Sequence, residues 1–429
     1  MNKKKLFLVS GFALFSMFFG AGNLIFPPTL GSWVGDNYVS STIGFSLTGV
    51  GLVMLGVIAT TKAGGQLEDV SSKLGSKFAL LFGTLILLSI GPGLAIPRTA
   101  ATTHELIQAS LIENLSPLLS AVIFFGIVLF FVLRPANIID DLGKILTPAL
   151  LLLLLVLIFK GIAAPIALPV ATDFENTFSK SFEEGYQTMD ALASLAFTAI
   201  IIKGFELKGL TDRKEIFSLT VKSGAIAAIG LCIVYGGLLY LGASISGIDL
   251  GEISRVERLI YIADNLLGYT GALIMAGIMI LACLTTAIGL TSAFSDFFSR
   301  MTNNKIPYNV WAIISAVFSG YMALGGVESI VKISVPVLLA MYPVTIVLIF
   351  LNLFSDTFKK RATYMGGVLG ALLPTIFKIL GALGLPVGFV DSFNELFPEA
   401  IRSFVWVIPT VVLAVIFTMT LGRNEKVTE

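Results

Sequence analysis

In the stretch FFGAGNLIFPP, Phe18 to Pro28, two glycines, an asparagine and two adjacent prolines interrupt an apolar run that begins at Leu6. A glycine inside a helix costs about 1 kcal/mol relative to alanine and a proline about 3, so Gly20, Gly22, Pro27 and Pro28 disfavour an unbroken helix. The residue types predict two half-helices. The first would end in unpaired carbonyls near Ser16 to Gly20; the second would open on free N–H groups near Ala21 to Asn23, restarting near Leu24 with the prolines in or beside its first turn. Those ends carry opposite partial charges, so a cation suits the carbonyls and a carboxylate suits the N–H groups. An isolated glycine or proline reads as a plain kink. Five glycine, asparagine and proline residues in the nine positions from Gly20 to Pro28 favour a binding site instead.

Two further stretches carry candidate chemistry. YQTMDALASLAFTAII, Tyr186 to Ile201, holds a carboxylate, Asp190, at the start of an apolar run, where a charge costs about 2.5–3.5 kcal/mol to insert. Asp190 reads equally as a ligand in a polar cavity or as an interfacial residue at the outer end of a helix. Ala191, Ala193, Ser194 and Ala196 are small enough for close backbone approach, or are ordinary helix packing, and Phe197 is placed to cover an apolar ligand. LACLTTAIGLTSAF, Leu281 to Phe294, sets Thr285 and Thr286 deep in another apolar run. Threonine hydroxyls in such helices ordinarily bond the carbonyl one turn back. In the functional alternative they complete an oxygen cage with the free carbonyls of the first span, and such neutral oxygens suit a small monovalent cation such as Na⁺.

The elements that must position these residues are membrane helices. Of the 429 residues 56% are hydrophobic and 13% charged, against roughly 25% charged in a soluble domain. The apolar runs reach about twenty residues, enough for a helix to cross a ~30 Å core, and they do not alternate as barrel strands do. The chain reads as an all-α integral membrane protein of about twelve transmembrane helices: Leu6–Leu30, Ser40–Thr61, Phe78–Pro97, Leu118–Leu133, Ile145–Ile162, Tyr186–Ile202, Ser218–Ser244, Leu267–Phe298, Tyr308–Leu324, Ile330–Phe354, Met365–Leu385 and Ser403–Leu421. Pro165–Glu184 and Gly384–Arg402 read as short amphipathic or re-entrant connections. Lysine and arginine gather before span 1 and after spans 2, 4, 6, 8, 10 and 12, which puts both termini in the cytoplasm. MNKKK precedes a run too long for a signal peptide and reads as the start of span 1.

A net charge of +1 points to no nucleic acid. Cys232, Cys283 and the single histidine, His104, lack metal-ligand spacing, and His104 reads as solvent-facing beyond span 3. No Walker loop occurs and no linker could house a nucleotide-binding domain, so direct ATP drive is not expected; nor do HExxH or GxSxG motifs suggest an enzyme. Arg98, Lys203, Glu206 and Lys378 read as snorkelling or locally paired charges. If the site is built from an inverted repeat, five spans precede Tyr186 and five more end near Phe354, so span 6 corresponds to span 1. Residues 1–162 then form the first repeat, 163–354 the second, inverted one, and 355–429 the last two helices.

GAGNLIFPP, GPGLAIPRTA and TMDALASLAF, in a twelve-span chain of this length, resemble the bacterial branched-chain amino acid:cation symporters, and the resemblance covers essentially the whole chain. That family looks related to the LeuT-type transporters, which implies two inverted five-helix repeats with broken helices 1 and 6. It implies uptake of leucine, isoleucine and valine across a bacterial cytoplasmic membrane, within membrane lipid, with Na⁺ or H⁺ as coupling ion and no other cofactor. Carried over by residue, Gly20, Gly22 and Asn23 match the unwound part of span 1, with the Asn23 side-chain oxygen near a cation. Ser194 to Ile201 matches the unwound part of span 6 and the start of its second half, placing Phe197 on the substrate side chain. Ala282, Thr285 and Thr286 match a sodium site completed by the Ser16 and Phe19 carbonyls. The expected pose sets the substrate carboxylate on the N–H groups of Ala21 and Gly22 and the ammonium on carbonyls near Phe18, Phe19 and Ala191 to Ser194. Asp190 departs from the apolar residue usual at its position and is a candidate for proton coupling. A passive channel is the rival from another class.

Overall fold

The computed structural model describes residues 3–134, 147–382 and 395–425. Among them the chain is helical throughout, and the order of helices is consistent with about twelve crossings. Helix α1 (Lys3–Phe18) ends where the glycines predict, and α2 (Ala21–Val34) begins after only Phe19 and Gly20, the latter in extended backbone at φ −115° and ψ −160°. The restart thus comes earlier than Leu24, which moves Pro27 and Pro28 past the first turn of α2. Their missing N–H groups leave the carbonyls of Asn23 and Leu24 without the usual helical donors, so α2 is polar along its axis as well as at its tip.

The second crossing joins α3 (Tyr38–Ser46) to α4 (Leu52–Ala63) through a π-turn. The third joins α5 (Ser76–Leu88) to α6 (Ala95–Ser110) across GPG, where Gly91 leaves helical geometry at ψ −128°. This crossing does not stop at Pro97. A proline in the first turn of α6 is tolerated because its N–H would be unused there, so the helix runs on through Arg98 and His104. His104 consequently lies within the span and is half-buried rather than solvent-facing.

Helices α7 (Pro117–Val132) and α8 (Thr147–Ala163) complete the first five crossings. The next is broken like the first: α9 (Thr177–Glu184) and a 3₁₀ turn, Gly185–Thr188, lead to Met189 in the left-handed region at φ 63°, and α10 (Asp190–Leu207) follows. Two expectations are corrected here. Thr177–Glu184 is the first half of the broken helix, not a connection, and the break lies at Met189 rather than within Ser194–Ile201. Alanine, leucine and serine at 191–196 propagate a helix readily; the signal for the break was the polar run QTMD ahead of them.

Helix α11 (Arg213–Ala243) precedes the amphipathic α12 (Arg255–Leu267), whose Ser254 and Glu257 form a reciprocal cap. The rest of the bundle is α13 (Tyr269–Met301), α14 (Tyr308–Ala323), α15 (Val327–Leu353), α16 (Arg361–Ala382), the single turn α17 (Glu399–Arg402) and α18 (Val407–Met419). Most of Gly384–Arg402 and the side chain of Lys378 lie outside the described residues.

Both halves of the first crossing lie along α11, while α13 packs on α1, α6 and α14, and α16 pairs with α18 at the side. Glycines permit the closest approach. A side chain at Gly31 would overlap the Leu239 carbonyl and one at Gly242 the Pro28 carbonyl, so α2 and α11 meet backbone to backbone. One end of the bundle is tied by ion pairs: Lys62 to Asp356 at 2.7 Å, Arg300 to Glu68 at 2.7 Å and Lys203 to Asp296 at 2.5 Å. Beside them, burial raises the Asp69 carboxyl above its ordinary value against the opposing hydrogen bond from the Gln66 N–H. At the other end Arg255 grips Glu328 through Nη1, 2.8 Å from each carboxylate oxygen, and lies over the Phe26 and Trp33 rings.

Candidate functional site

The two helix breaks meet inside the bundle around a small cavity of about 20 Å³, room for about one water molecule. Ala21, Gly22 and Asn23, the first turn of α2, form one wall, and Thr188, Met189 and Asp190 face it from the other break. Ala193 and Phe197 continue the wall along α10, and Phe18 packs on Phe197 with ring centroids 5.3 Å apart. These spacings have a helical cause. From Asp190 onward the i, i+3, i+7 positions point inward, so Asp190, Ala193 and Phe197 share one face.

Ala191 and Ser194 do not share it. The Ser194 hydroxyl donates to the Ala191 carbonyl at 2.7 Å, and its oxygen sits where a side chain at Gly56 would fall, so both residues serve the packing of α10 on α4. Their assignment to the substrate rested on an unwound backbone at Ser194, which the structure replaces with regular helix.

Asp190 is 2% exposed and stands at the join of the two halves of a broken crossing, not at an outer helix end. Its Oδ2 accepts from the Asn23 side-chain amide at 2.6 Å and from the Tyr235 hydroxyl at 2.6 Å, and Asn23 and Tyr235 also bond each other. The interfacial alternative for Asp190 is thereby removed. The Asn23 side-chain oxygen accepts from the Gly20 N–H at 3.2 Å, so it closes the helix break rather than standing free for a cation. Three crossings are thus tied at one point by Asn23 on α2, Asp190 on α10 and Tyr235 on α11.

Next to this point the carbonyl end of α1 meets α13. The Thr285 hydroxyl lies 2.7 Å from the Ser16 carbonyl and 3.0 Å from that of Ala282. The Thr286 hydroxyl lies 2.8 Å from the Met17 carbonyl and 3.4 Å from that of Ser16. Ser16, Ala282, Thr285 and Thr286 are therefore brought together as the resemblance implied. Thr286 bonds the Met17 carbonyl, where the resemblance implied that of Phe19. The reason is the turn: α1 stays helical to Phe18, so the carbonyls at 16 and 17 face α13. Gly20 is required beside them, since a Cβ there would lie 2.8 Å from the Thr286 hydroxyl. This set of hard, neutral oxygens fits a small monovalent cation in donor chemistry. Among the described residues no group of three or more His, Cys, Asp or Glu is placed to hold a metal.

Two residues of the site were not expected from the sequence. Tyr235 is one aromatic residue within the long apolar run of α11, and nothing local marks it. Arg98 had a signal, a charge directly after GPGLAIP, but it counts as snorkelling only if the span ends at Pro97. In the continuing helix it is 2% exposed, lines the cavity and lies over the Phe26 ring at 5.2 Å. Toward the end that carries Arg255 a wider cavity of about 270 Å³ opens between Trp33, Phe174, Glu184, Tyr186 and Leu338.

This architecture is shared with solved transporters. The closed conformation of Mhp1, a nucleobase-cation-symport-1 family transporter with bromovinylhydantoin bound, aligns over 99% of this chain and 94% of its own at TM-score 0.66 and 12% identity. MhsT in complex with L-phenylalanine aligns over 96% and 97% at TM-score 0.56 and 15% identity. At such identities the likeness shows the fold, the LeuT-type bundle with its first and sixth crossings broken. Sequence similarity goes further. The branched-chain amino acid permease BraB of Bacillus subtilis is 35% identical, covering 98% of this chain and 97% of its own. The branched-chain amino acid transport system 2 carrier protein of Pseudomonas aeruginosa is 36% identical over 98% and 97%. The family model described as branched-chain amino acid transport protein matches residues 2–423. The chain belongs to the family of branched-chain amino acid transport proteins.

Proposed function

We propose that this protein imports leucine, isoleucine and valine by symport with Na⁺, through alternating access around the cavity between the two helix breaks. One observation carries the reading: a cluster of neutral oxygens from Ser16, Met17, Ala282, Thr285 and Thr286 adjoins a cavity that exposes the N-terminus of α2 and the Asp190 carboxylate. Na⁺ in the oxygen cluster bridges α1 to α13 and holds the half-helix in the orientation that presents Ala21 and Gly22. The substrate carboxylate meets those N–H groups and its ammonium meets Asp190 and the carbonyl end of α1. Phe18, Ala193 and Phe197 pack its branched side chain. One methylene is worth only about 1–3 kcal/mol in such a pocket, so the three substrates compete.

Both termini face the cytoplasm of a bacterial cell in this reading, which makes the wider cavity by Trp33 the entrance and the Lys62, Lys203 and Arg300 ion pairs the closed inner end. Residues 1–162 and 163–354 act as the two five-helix repeats, and α1, α2, α10 and α11 rock with α3 and α4 against the remainder. A second reading couples the same site to protons through Asp190, which is buried yet held by neutral partners, Asn23 and Tyr235.

Threonine-to-alanine changes test the cation site. A hydrogen-bonding or ligating group lost from a charged partner costs about 1.5–3 kcal/mol, so Thr285→Ala and Thr286→Ala should each raise the Na⁺ concentration for half-maximal leucine binding by about tenfold or more. Titrating Na⁺ against labelled leucine on purified protein reads this directly. An unchanged Na⁺ dependence in both variants contradicts the cage.

A further inference from the structure

We infer that Arg98 is the carboxylate anchor of the substrate site, so that the cavity reads both charges of an amino acid, with Arg98 and Asp190 as its two poles. The inference rests on the proposed amino acid site and names a specificity-determining residue of it. Arg98 is 98% buried, since its relative exposure is 2%, and its guanidinium lies in the cavity wall. Nε and Nη1 have no hydrogen-bond acceptor among the described residues, and no ion pair joins Arg98 to Asp190, whose Oδ2 is instead taken by Asn23 and Tyr235.

A buried arginine with two of its three nitrogens unpartnered is costly unless an anion completes it. Two parallel N–H donors match a carboxylate edge to edge. The guanidinium also lies beside the N–H groups where that carboxylate must arrive: a Cβ at Gly22 would come within 2.7 Å of Nη2, so only a glycine lets Arg98 pack this close to the first turn of α2. Phe26 supports the cation from behind, with its ring 5.2 Å from the guanidinium carbon. The wall therefore offers one positive and one negative group with no net charge. A zwitterion laid head to tail neutralises both, whereas a bare amine or a bare carboxylate leaves one pole unpaired.

The test compares leucine with leucinamide, which keeps the side chain and ammonium but has no carboxylate. Binding is measured by competition with labelled leucine on the purified full-length protein. A site built to bond a polar group rejects an analogue lacking it strongly. Wild type should prefer leucine by at least about a hundredfold, and Arg98→Gln should shrink that preference to within about tenfold by weakening leucine while sparing leucinamide. Arg98→Lys, which keeps the charge and loses the fork, should fall between them. Equal affinity for leucine and leucinamide in wild type overturns the inference even if no variant folds. So does a full wild-type preference retained in Arg98→Gln. Ala193→Phe, which fills the cavity, separates the two failures. If it leaves leucine binding intact, the cavity is not the site and the inference falls with it; if it abolishes binding while Arg98→Gln keeps the preference, only the role of Arg98 falls.

Discussion

Replacing Asp190 with alanine should reduce leucine affinity by about two to three orders of magnitude. Breaking a buried charged partnership costs about 3–5 kcal/mol, and each 1.4 kcal/mol is a factor of ten. The size of the effect comes from the position of Asp190. It is the first residue of α10, it is dry, and its Oδ2 is the point at which Asn23 and Tyr235 converge. Alanine removes the ammonium partner and also leaves the Asn23 amide and Tyr235 hydroxyl without their common acceptor, so part of the loss is structural. Asp190→Asn separates the two contributions. It keeps an acceptor for Asn23 and Tyr235 and removes only the charge, so its thermal unfolding should stay near wild type while leucine binding is lost. A variant that folds normally and binds leucine as wild type would remove Asp190 from the site. Under proton coupling, Asp190→Asn should lose uptake driven by a pH gradient but retain leucine exchange.

The second large effect lies away from the substrate, where α2 crosses α11. Gly242→Leu should give no folded protein, and Gly242→Ala should be destabilised by about 1–3 kcal/mol or more. A Cβ at this position would meet the carbonyl of Pro28, a main-chain atom that cannot rotate away, and Gly31 makes the reciprocal approach to Leu239. Gly236→Ala on the same helix is the control. Its Cβ would meet only the Thr42 methyl at 3.7 Å, an ordinary contact, so the change should be neutral or stabilising by up to about 1 kcal/mol through helix propensity. Thermal unfolding in detergent reads all three. If Gly242→Ala and Gly236→Ala unfold alike, the backbone contact does not set the position of α2. That position matters for function because α2 carries Ala21, Gly22 and Asn23 into the cavity.

The fold was legible in the chain wherever the signal was the length of an apolar run or a dense cluster of helix breakers. FFGAGNLIFPP located the first break, although the restart comes at Ala21, three residues before the expected Leu24, and most helical spans followed from hydropathy. The second break was misplaced because TMDALASLAF contains no breaker at all. What interrupts it is Met189 held in the left-handed region by tertiary structure, a choice no local propensity records. The third crossing was cut short for the opposite reason: GPG and Pro97 are strong stop signals, yet the chain kinks at Gly91 and resumes.

For the site, residue types with few alternative uses were legible. Thr285 and Thr286 in an apolar run and Asp190 at the head of another led to groups that the structure brings near the break. Ala191 and Ser194 were included through an expected unwinding that does not occur. Tyr235 was beyond reach, because its partner Asp190 lies 45 positions away and a buried tyrosine in a long helix has many explanations. Arg98 was within reach, and the error over where its helix ends hid it.

Uptake into proteoliposomes under separately imposed gradients tests the central claim most directly. Purified protein is reconstituted, and labelled leucine is followed with an inward Na⁺ gradient at uniform pH, then with an inward proton gradient and no Na⁺. Accumulation above equilibrium with Na⁺ alone, competed by isoleucine and valine, is the predicted result. Equal accumulation with the proton gradient in the absence of Na⁺, or no accumulation above equilibrium under either gradient, would contradict Na⁺-coupled import.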